Sequence, residues 1–375
     1  MKSLIYLDHA ATTPACPAAI AAVAEALALV GNPSSVHAGG RAANALLERS
    51  RDAVARFAGV APENVIFTSG GTEAIALAMN GARMVGARPR ALAGATEHSA
   101  VLQGRADVAL LPVDADGLID MAALDAALGA ETLRGPALVA IQHGNNETGV
   151  IQPLGEVAAR VHAAGGLLLA DCVQSAGKLL LPDADFIALS AHKLGGPPGV
   201  GALIVREPDT LVAIQRGGGQ ERGHRGGTPN LPGIAGLAAA VAEPHDWAAV
   251  ATRRAALEAR LKAAGAIIHG EAAPRLPHIS SIGLPGTAAS TQVMRLDLAG
   301  FMVSAGAACS SGKVKASHVL AAMGLGPAAG EAIRVSLSGS TTDTELDSFA
   351  AAWKRMAGER MAGERMAGER VAGRT

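Results

Sequence analysis

A regular alternation of short β-rich runs with alanine-rich helical stretches constrains the fold of this chain more than any other feature. Many of the β-rich runs are followed by small or polar residues. The pattern predicts an α/β protein, because each helix returns the chain so that the next strand can join the same sheet. The predicted strands are 65–68, 91–95, 137–142, 166–170, 186–189 and 200–205. The predicted helices are 41–58, 72–85, 121–128 and 154–164.

After about Pro244 the pattern of predicted helices and strands changes. A long amphipathic stretch at 247–264 leads into shorter predicted strands near 279–283 and 333–337. The 375 residues exceed the length at which a single core usually stops growing, about 250–300 residues. We therefore expect a large domain at 13–245, and a smaller domain formed by 1–12 plus 246–355.

The C-terminal tail, 356–375, is repetitive. The sequence Arg-Met-Ala-Gly-Glu recurs from Arg355 to Glu369. This period matches neither one face of a helix nor a heptad. We expect the tail to be a frayed helix or disordered, with no role in chemistry.

Composition excludes several classes of function. A formal net charge of −1 with 17% charged residues gives no basic footprint for nucleic acid. The apolar runs are shorter than the roughly 20 residues of a membrane span, and residues before Asp8 are too few for a signal peptide. Three cysteines, an odd number, argue against a disulfide framework. We expect a cytoplasmic protein that acts on neither nucleic acid nor membranes.

The residues that follow the predicted strands form the candidate site, because ligands of open α/β sheets bind outside the carboxyl ends of the strands. Ser69-Gly70-Gly71-Thr72-Glu73 opens a helix after the first strand. Free amides there favour an anion, although a glycine-rich turn with a threonine cap explains the motif equally well. Thr96-Glu97-His98 follows the second strand, and a lone histidine is more often structural. Asn145-Asn146-Glu147-Thr148-Gly149 alone indicates a turn.

Two further strand ends are harder to explain structurally. Asp171 closes an apolar strand, where a carboxylate costs free energy unless a partner compensates it. Lys193 follows another strand and precedes a glycine- and proline-rich loop. The strand ends together offer an anion cradle, an imidazole, an amide, a carboxylate and an amine. Pyridoxal phosphate (PLP) needs this set, for its phosphate, its pyridinium nitrogen and the lysine that binds its aldehyde.

With these residues in order, the chain resembles the cysteine desulfurases of the NifS and IscS type, which are fold-type I PLP enzymes of the class V aminotransferase superfamily. The resemblance runs from Tyr6 to about Phe349. It implies a mostly parallel seven-stranded sheet in the large domain and a smaller α/β C-terminal domain. Its most specific motifs are Ala10-Ala11-Thr12-Thr13-Pro14, Gly31-Asn32-Pro33-Ser34-Ser35, Thr68-Ser69-Gly70-Gly71-Thr72-Glu73, Asn145-Asn146-Glu147-Thr148-Gly149, Ser190-Ala191-His192-Lys193 and Arg222-Gly223-His224-Arg225-Gly226-Gly227-Thr228.

The resemblance assigns a role in cofactor binding to each strand end. It implies that Lys193 forms the Schiff base, that Asp171 pairs with the pyridinium nitrogen and that His98 stacks on the ring. It implies that Gln174 bonds the phenolic oxygen and that Asn146 lies against the cofactor. The residues implied to hold the phosphate are Gly71, Thr72, Ser190 and His192, with Thr228 from a second subunit of a homodimer.

The resemblance also implies the substrate and the reaction. Asn32 and Arg334 would grip the carboxylate of L-cysteine, which a bidentate guanidinium suits. Cys309 lies in a stretch of small residues, where a cysteine is often only a small hydrophobe. The family has its mobile catalytic cysteine loop at this place, so Lys193, His98 and Cys309 are the expected catalytic residues. The products would be L-alanine and a persulfide on Cys309, whose sulfur passes to an acceptor such as an iron–sulfur scaffold protein.

Three alternatives differ in what they require of these residues. Another PLP reaction, such as transamination, selenocysteine lysis or kynurenine cleavage, would not need Cys309. A non-catalytic partner in iron–sulfur assembly would not need Lys193, Asp171 and His98 together. Zinc binding is disfavoured because no clustered CxxC or HxxxH pair occurs. The sequence leaves open whether the sulfur serves cluster assembly, tRNA thiolation or a nitrogenase-type pathway.

Overall fold

A computed structural model describes residues 4–84, 88–129, 135–306 and 316–372, with side chains to residue 359. The strands are β1 (Ile5–Tyr6), β2 (Val65–Thr68), β3 (Arg90–Gly94), β4 (Val108–Leu111), β5 (Ala137–Gln142), β6 (Leu167–Asp171), β7 (Phe186–Ser190), β8 (Gly201–Val205), β9 (Ile267–Ile268), β10 (Ile279–Gly283), β11 (Phe301–Met302), β12 (Ser304–Ala305) and β13 (Ala332–Ser336). The helices are α1 (Pro17–Ala28), α2 (Ala38–Ala58), α3 (Gly71–Gly81), α4 (Ser99–Leu102), α5 (Met121–Gly129), α6 (Leu154–Ala163), α7 (Leu231–Ala240), α8 (Trp247–Lys262), α9 (Ala289–Leu298), α10 (His318–Ala322) and α11 (Asp343–Ala372).

A seven-stranded sheet forms the centre of the larger part, in the order β2-β8-β7-β6-β5-β3-β4. Strand β8 runs antiparallel to both of its neighbours, and the remaining pairs are parallel. The predicted mostly parallel seven-stranded sheet is therefore confirmed. Because β2 and β7 both oppose β8, they run in the same direction as β3, β5 and β6. The carboxyl ends of these five strands lie at one edge.

Continuous burial explains why the sheet strands are apolar along their whole length. Each residue of β5, β6 and β7 is buried. Along β5, Val139 packs in a cluster with α2, α6 and α7, whereas Leu138 packs in a second cluster with α3. Side chains alternate between the faces of a strand, so both faces are covered by helices.

Strand β4 and the end of α3 differ from the predictions. The edge strand β4 was not predicted, because its Val-Ala-Leu-Leu sequence is rich in helix formers and only Val108 is β-branched. The helix predicted at 72–85 ends at Gly81 instead. A Cβ on Gly81 would lie 2.6 Å from the carbonyl oxygen of Val212, so the chain turns where this neighbour approaches closely.

A second, antiparallel sheet has the order β12-β13-β10-β9 and packs against α8, α9 and α11. Trp353 and Leu346 of α11 are fully buried in its core, as is Leu7 from the N-terminal segment. The N-terminus reaches this core because β1 pairs in parallel with β11. The domain boundaries at 13–245 and at 1–12 plus 246–355 stay a prediction.

Helix α11 continues through the repeats of the tail to Ala372. None of the helices in the described chain is both long and apolar enough to cross a membrane.

A buried ion pair fixes the loop that precedes α7. Arg51 of α2 donates to both carboxylate oxygens of Glu221, at 2.7 and 3.0 Å, and also to the carbonyl of Val65 at 2.8 Å. The amide of Phe67 donates to the same carboxylate at 2.8 Å. Glu221 has a φ of 46°, in the left-handed region that costs free energy for residues other than glycine. These contacts hold the loop against β2 despite that cost.

Replacing Arg51 should destabilise the fold strongly. In Arg51→Leu the Glu221 carboxylate stays buried without its cation, and we expect a loss of about 3–5 kcal/mol in the free energy of unfolding. Urea denaturation followed by circular dichroism measures this loss. Glu48→Gln is the matched control, because Glu48 pairs with the same Arg51 at 3.2 Å from a partly exposed position and should cost less than about 1 kcal/mol. Equal losses in the two variants would contradict the assigned role of Glu221.

Candidate active site

The carboxyl ends of the parallel strands open into a cavity of about 500 Å³. Its walls include most of the residues predicted from the sequence to bind cofactor or substrate. The predicted residues that line it are Gly71, Thr72, His98, Asn146, Asp171, Gln174, Ser190, His192, Lys193 and Arg334. The fold thus gathers at one place groups as far apart in the sequence as Gly71 and Arg334.

The N-terminus of α3 forms one end of the cavity. Gly70 precedes the helix, and Gly71 and Thr72 line the cavity. A Cβ on Gly71 would lie 2.6 Å from Cγ2 of Val173 and 3.4 Å from Cβ of Ser190, so only glycine fits without displacing its neighbours. The amides of the first helical turn have no intrahelical acceptors and carry the positive end of the helix dipole. This end of the cavity suits a phosphate.

Asp171 supplies the buried acid of the site. It ends β6, is 7% exposed and accepts a hydrogen bond at Oδ1 from the amide of Val173 at 2.9 Å. Burial raises the pKa of its carboxyl, while the Val173 amide, His98 and Lys193 favour the charged form. A cationic group placed against Asp171 would compensate the buried charge.

Lys193 supplies the amine. It lies in a short 3₁₀ turn directly after β7, and its Nζ donates to the carbonyl oxygens of Ala10 at 2.5 Å and Ala11 at 2.6 Å. The neighbouring His192 contacts the hydroxyl of Thr12 through Nδ1 at 3.2 Å. Burial, with a smaller contribution from Lys193, lowers the pKa of His192 to about 4, so its imidazole is neutral near pH 7.

His98 caps the short helix α4. Its Nδ1 accepts a hydrogen bond from the amide of Ala100 at 3.1 Å, so the neutral ring carries its proton on Nε2. Burial is the main cause that lowers the pKa of His98, with Lys193 and His318 adding to it against Asp171. The ring is therefore a neutral donor at Nε2.

Gln174 presents an unsatisfied oxygen to the site. Its Nε2 donates to the carbonyl of Ala10 at 2.8 Å. Its Oε1 is buried, and no residue in the described part of the chain donates to it. Buried polar atoms are seldom left without a partner, so this oxygen fits a ligand that carries a donor.

Arg334, in the second sheet, faces the strand ends of the first. Its Nη1 donates to the carbonyl of Asn146 at 2.9 Å, and its Nη2 donates to Oδ1 of Asp8 at 2.7 Å. Its Nε is buried, and none of the described residues accepts from it. Sequence reasoning did not assign a role to Asp8, although this polar residue follows a short β-rich run as the other site residues do.

Three predicted residues are not among the described residues that line the cavity. Asn32 is exposed, and its Oδ1 accepts from the amide of Ser34 at 2.9 Å. Thr228 is exposed beside a separate cavity of about 60 Å³ that Ser69 also lines. Cys309 lies outside the described residues. The roles of all three stay predictions.

The described residues on both sides of the segment 307–315 lie at Glu147. A Cβ on Gly306 would meet Oε2 of Glu147 at 2.1 Å, and Ser317 Oγ donates to the same oxygen at 2.5 Å. Glu147 directly follows Asn146, which lines the cavity. Gly306 and Ser317 therefore both lie beside Glu147, one position along the chain from the cavity-lining Asn146.

Comparisons with known proteins agree with this geometry. Residues 5–349 match the family model described as aminotransferase class V. A cysteine desulfurase from Cereibacter sphaeroides is 41% identical over 363 residues, which cover 92% of this chain and 93% of the relative.

Solved structures give the same result. One titled as a NifS-like protein has a TM-score of 0.84 at 32% identity, covering 94% of this chain and 99% of that chain. Another, titled SspA in complex with cysteine, has a TM-score of 0.77 at 28% identity and covers 90% of this chain and 100% of that one. The chain belongs to the class V aminotransferase family and, within it, to the cysteine desulfurases.

Proposed function

We propose that this protein is a PLP-dependent cysteine desulfurase that converts L-cysteine to L-alanine and keeps the sulfur as a persulfide on Cys309. Class V aminotransferases and cysteine desulfurases are PLP-dependent. The observation that carries the assignment is one cavity lined by a helix N-terminus, a buried carboxyl, a lysine, an imidazole and a buried guanidinium. A docking protein without chemistry would have no use for this combination.

The side chains of the cavity fit PLP at each of its polar groups. Gly71 and Thr72 at the start of α3, with Ser190 and His192, would hold the phosphate. Asp171 would pair with the protonated ring nitrogen, whose positive charge would further compensate the burial of its carboxylate.

The remaining cofactor contacts come from the strand ends nearest Lys193. The unsatisfied Oε1 of Gln174 would accept a hydrogen bond from the phenolic hydroxyl of PLP. His98 and Asn146 would lie against the ring. Lys193 would attach PLP covalently through Nζ, after exchanging its present contacts with Ala10 and Ala11.

Arg334 would bind the substrate carboxylate. Its unpartnered Nε is a buried donor, and a second donor becomes available when Asp8 moves away from Nη2. Two parallel donors of one guanidinium match the two oxygens of a carboxylate. Asn32 is proposed to complete this contact through a change in the position of its loop.

The proton transfers are assigned to Lys193 and His98. When bound, PLP supplies an electron-withdrawing ring that makes the α-carbon proton of the amino acid acidic. Lys193 Nζ removes the proton from the α-carbon of the substrate. His98 carries a proton on Nε2, which it can donate to substrate atoms beside the ring. The thiolate of Cys309 attacks the substrate sulfur, so that the C–S bond breaks and an S–S bond forms. The carbon that loses sulfur takes the proton of the substrate thiol, which balances cysteine plus thiolate against alanine plus persulfide.

Two partners complete the proposal. A second copy of the chain would place its Thr228 at the phosphate, since Thr228 is exposed in a glycine-rich loop of this one. A sulfur-acceptor protein, such as an iron–sulfur scaffold, would take the sulfur from Cys309.

The first prediction from the proposed function tests the cofactor. The purified protein should show the visible absorption of lysine-bound PLP, and Lys193→Ala should lack it because, among the described residues, Lys193 is the lysine that lines the cavity with Asp171 and His98. Borohydride reduction followed by peptide mass mapping should find the pyridoxyl group on Lys193. Lys178, whose Nζ donates to the carbonyl of Lys193 at 3.1 Å, is the internal control. A pyridoxyl group on Lys178 would refute the assignment.

The second prediction tests Cys309. Cys309→Ser should keep the PLP spectrum but lose alanine and sulfide production by roughly 100-fold or more, because a serine hydroxyl is not ionised near neutral pH and forms no persulfide. Cys16→Ser is the matched control, since Cys16 caps α1 and serine is also a good cap. Alkylation and mass spectrometry after brief exposure to cysteine should find the extra sulfur on Cys309. Normal rates in Cys309→Ser would favour an elimination or selenocysteine lysis instead.

The third prediction tests the shared site. A mixture of Lys193→Ala and Thr228→Ala chains should be far more active than either parent at limiting PLP. Each hybrid dimer would contain one site with Lys193 from one chain and Thr228 from the other, so that site is intact. Activity is measured after the chains are unfolded and refolded together, against each parent treated in the same way. A fully active monomer in sedimentation analysis would disprove the arrangement.

A further inference from the structure

A second cavity, of about 550 Å³, adjoins the active-site cavity and shares Lys193 with it. It lies between the N-terminal segment, the turn that leads into α8 and the residues that follow β13. The mechanism proposed above uses no other residue of its wall. The residues important for its chemistry are Lys178, Glu243, His245, Asp246, Trp247 and His278.

Two of these residues have buried polar atoms that lack hydrogen bonds. His278 is 1% exposed, and the described structure offers no partner to either of its ring nitrogens. The buried indole Nε1 of Trp247 likewise finds no acceptor among the described residues. Burying polar atoms without hydrogen bonds is unfavourable, and native structures contain few such atoms. Three of them belong to side chains that line one cavity, so a ligand with complementary polar groups would satisfy them once the two rings turn toward it.

The charges of the cavity are arranged by depth. Lys178 Nζ lies 5.4 Å from the centre of the Trp247 ring and donates to the carbonyls of Lys193 and Ala176, at 3.1 and 3.4 Å. Burial, together with Lys193, lowers the pKa of Lys178 to about 7. Asp246 is exposed at the rim, where its Oδ1 caps α8, and Glu243 is half-buried beside it. The wall is thus rich in donors at depth and carries carboxylates at the rim.

Aromatic rings line the cavity between its deep donors and the carboxylates at its rim. The Trp247 ring lies 5.7 Å from that of His278 and 5.2 Å from that of His245, both tilted. Burial lowers the pKa of both histidines, so their rings are neutral near pH 7 and present apolar faces with single N–H donors. The arrangement suits a small molecule with an anionic end, an apolar body and a cationic end.

We propose that this cavity is a second binding site, which takes a free α-amino acid. The carboxylate of the ligand accepts hydrogen bonds from Trp247 Nε1, His278 and Lys178. Its ammonium group faces Glu243 and Asp246. Because Lys178 donates to the carbonyl of Lys193, a ligand here contacts the turn that carries the active-site lysine. This site stands whether or not the chain is a desulfurase, since none of its contacts involves Cys309, Asp171 or Arg334.

The test is calorimetric titration of the full-length holoenzyme with L-alanine. Arg334→Gln, used as the parent, weakens carboxylate binding in the active-site cavity. This parent should still bind one alanine per chain, with the bound PLP spectrum unchanged. Adding Trp247→Phe, which keeps the ring but removes the N–H, should weaken that binding by about tenfold or more, as expected for one hydrogen bond to a charged group. His278→Leu should weaken it to a similar extent.

Trp353→Phe is the matched control. Its indole Nε1 is also buried with no partner among residues the structure describes, but Trp353 belongs to the core around α11 and does not line this cavity. Adding it to the parent should leave the affinity for alanine unchanged, and circular dichroism should show that each variant is folded. Absence of alanine binding to the parent, or unchanged affinity in both Trp247→Phe and His278→Leu, overturns the assignment.

Propionate distinguishes an amino-acid site from a general carboxylate site. It has the carboxylate and the apolar body of alanine but lacks the ammonium group. The parent should bind propionate at least about fivefold more weakly, because the carboxylates of Glu243 and Asp246 then have no cation to face. Equal affinity for propionate and alanine would overturn the assignment of the ligand as an amino acid.

Discussion

The parallel alignment of β2, β3, β5, β6 and β7 is the constraint on which the candidate active site depends. Helices cover both faces of these strands, so a polar side chain within them would be buried without water. Polar groups are tolerated where the strands end, and parallel strands end at one edge. The antiparallel β8 keeps this order, because it lets β2 join the sheet in the common direction. Asp171, His98, Lys193 and the start of α3 are neighbours for this reason.

Burial also decides the protonation states in the site. It lowers the pKa of His98 and His192, so that both rings are neutral, and it raises the pKa of Asp171. A buried carboxylate is favourable only beside a cation, and a protonated ring nitrogen of PLP is such a cation. The cavity therefore favours a cofactor whose positive charge lies at one end and whose negative charge lies at the other.

Sequence reasoning predicted the mostly parallel sheet and picked out the polar residues at its strand ends, but it missed one edge strand and one long-range contact. The strand ends could be predicted because an apolar run that stops at Asp171 or shortly before Lys193 can be recognised in the sequence alone. The edge strand β4 was missed because its composition favours a helix, and the ion pair of Asp8 with Arg334 was missed because the partners are 326 positions apart in the sequence. Contacts over such distances depend on tertiary packing. Asn32 and Thr228 were assigned by resemblance alone, and a single chain does not bring them to the cavity.

The N-terminal segment joins the two halves of the site. Within four consecutive residues, 8–11, Asp8 holds the guanidinium of Arg334 while the carbonyls of Ala10 and Ala11 hold the amine of Lys193. This stretch acts as a spacer that sets the distance between the group proposed to grip the carboxylate and the reactive amine. A substitution that shifts the backbone of residues 8–11 would therefore displace Arg334 and Lys193 together, without altering either side chain.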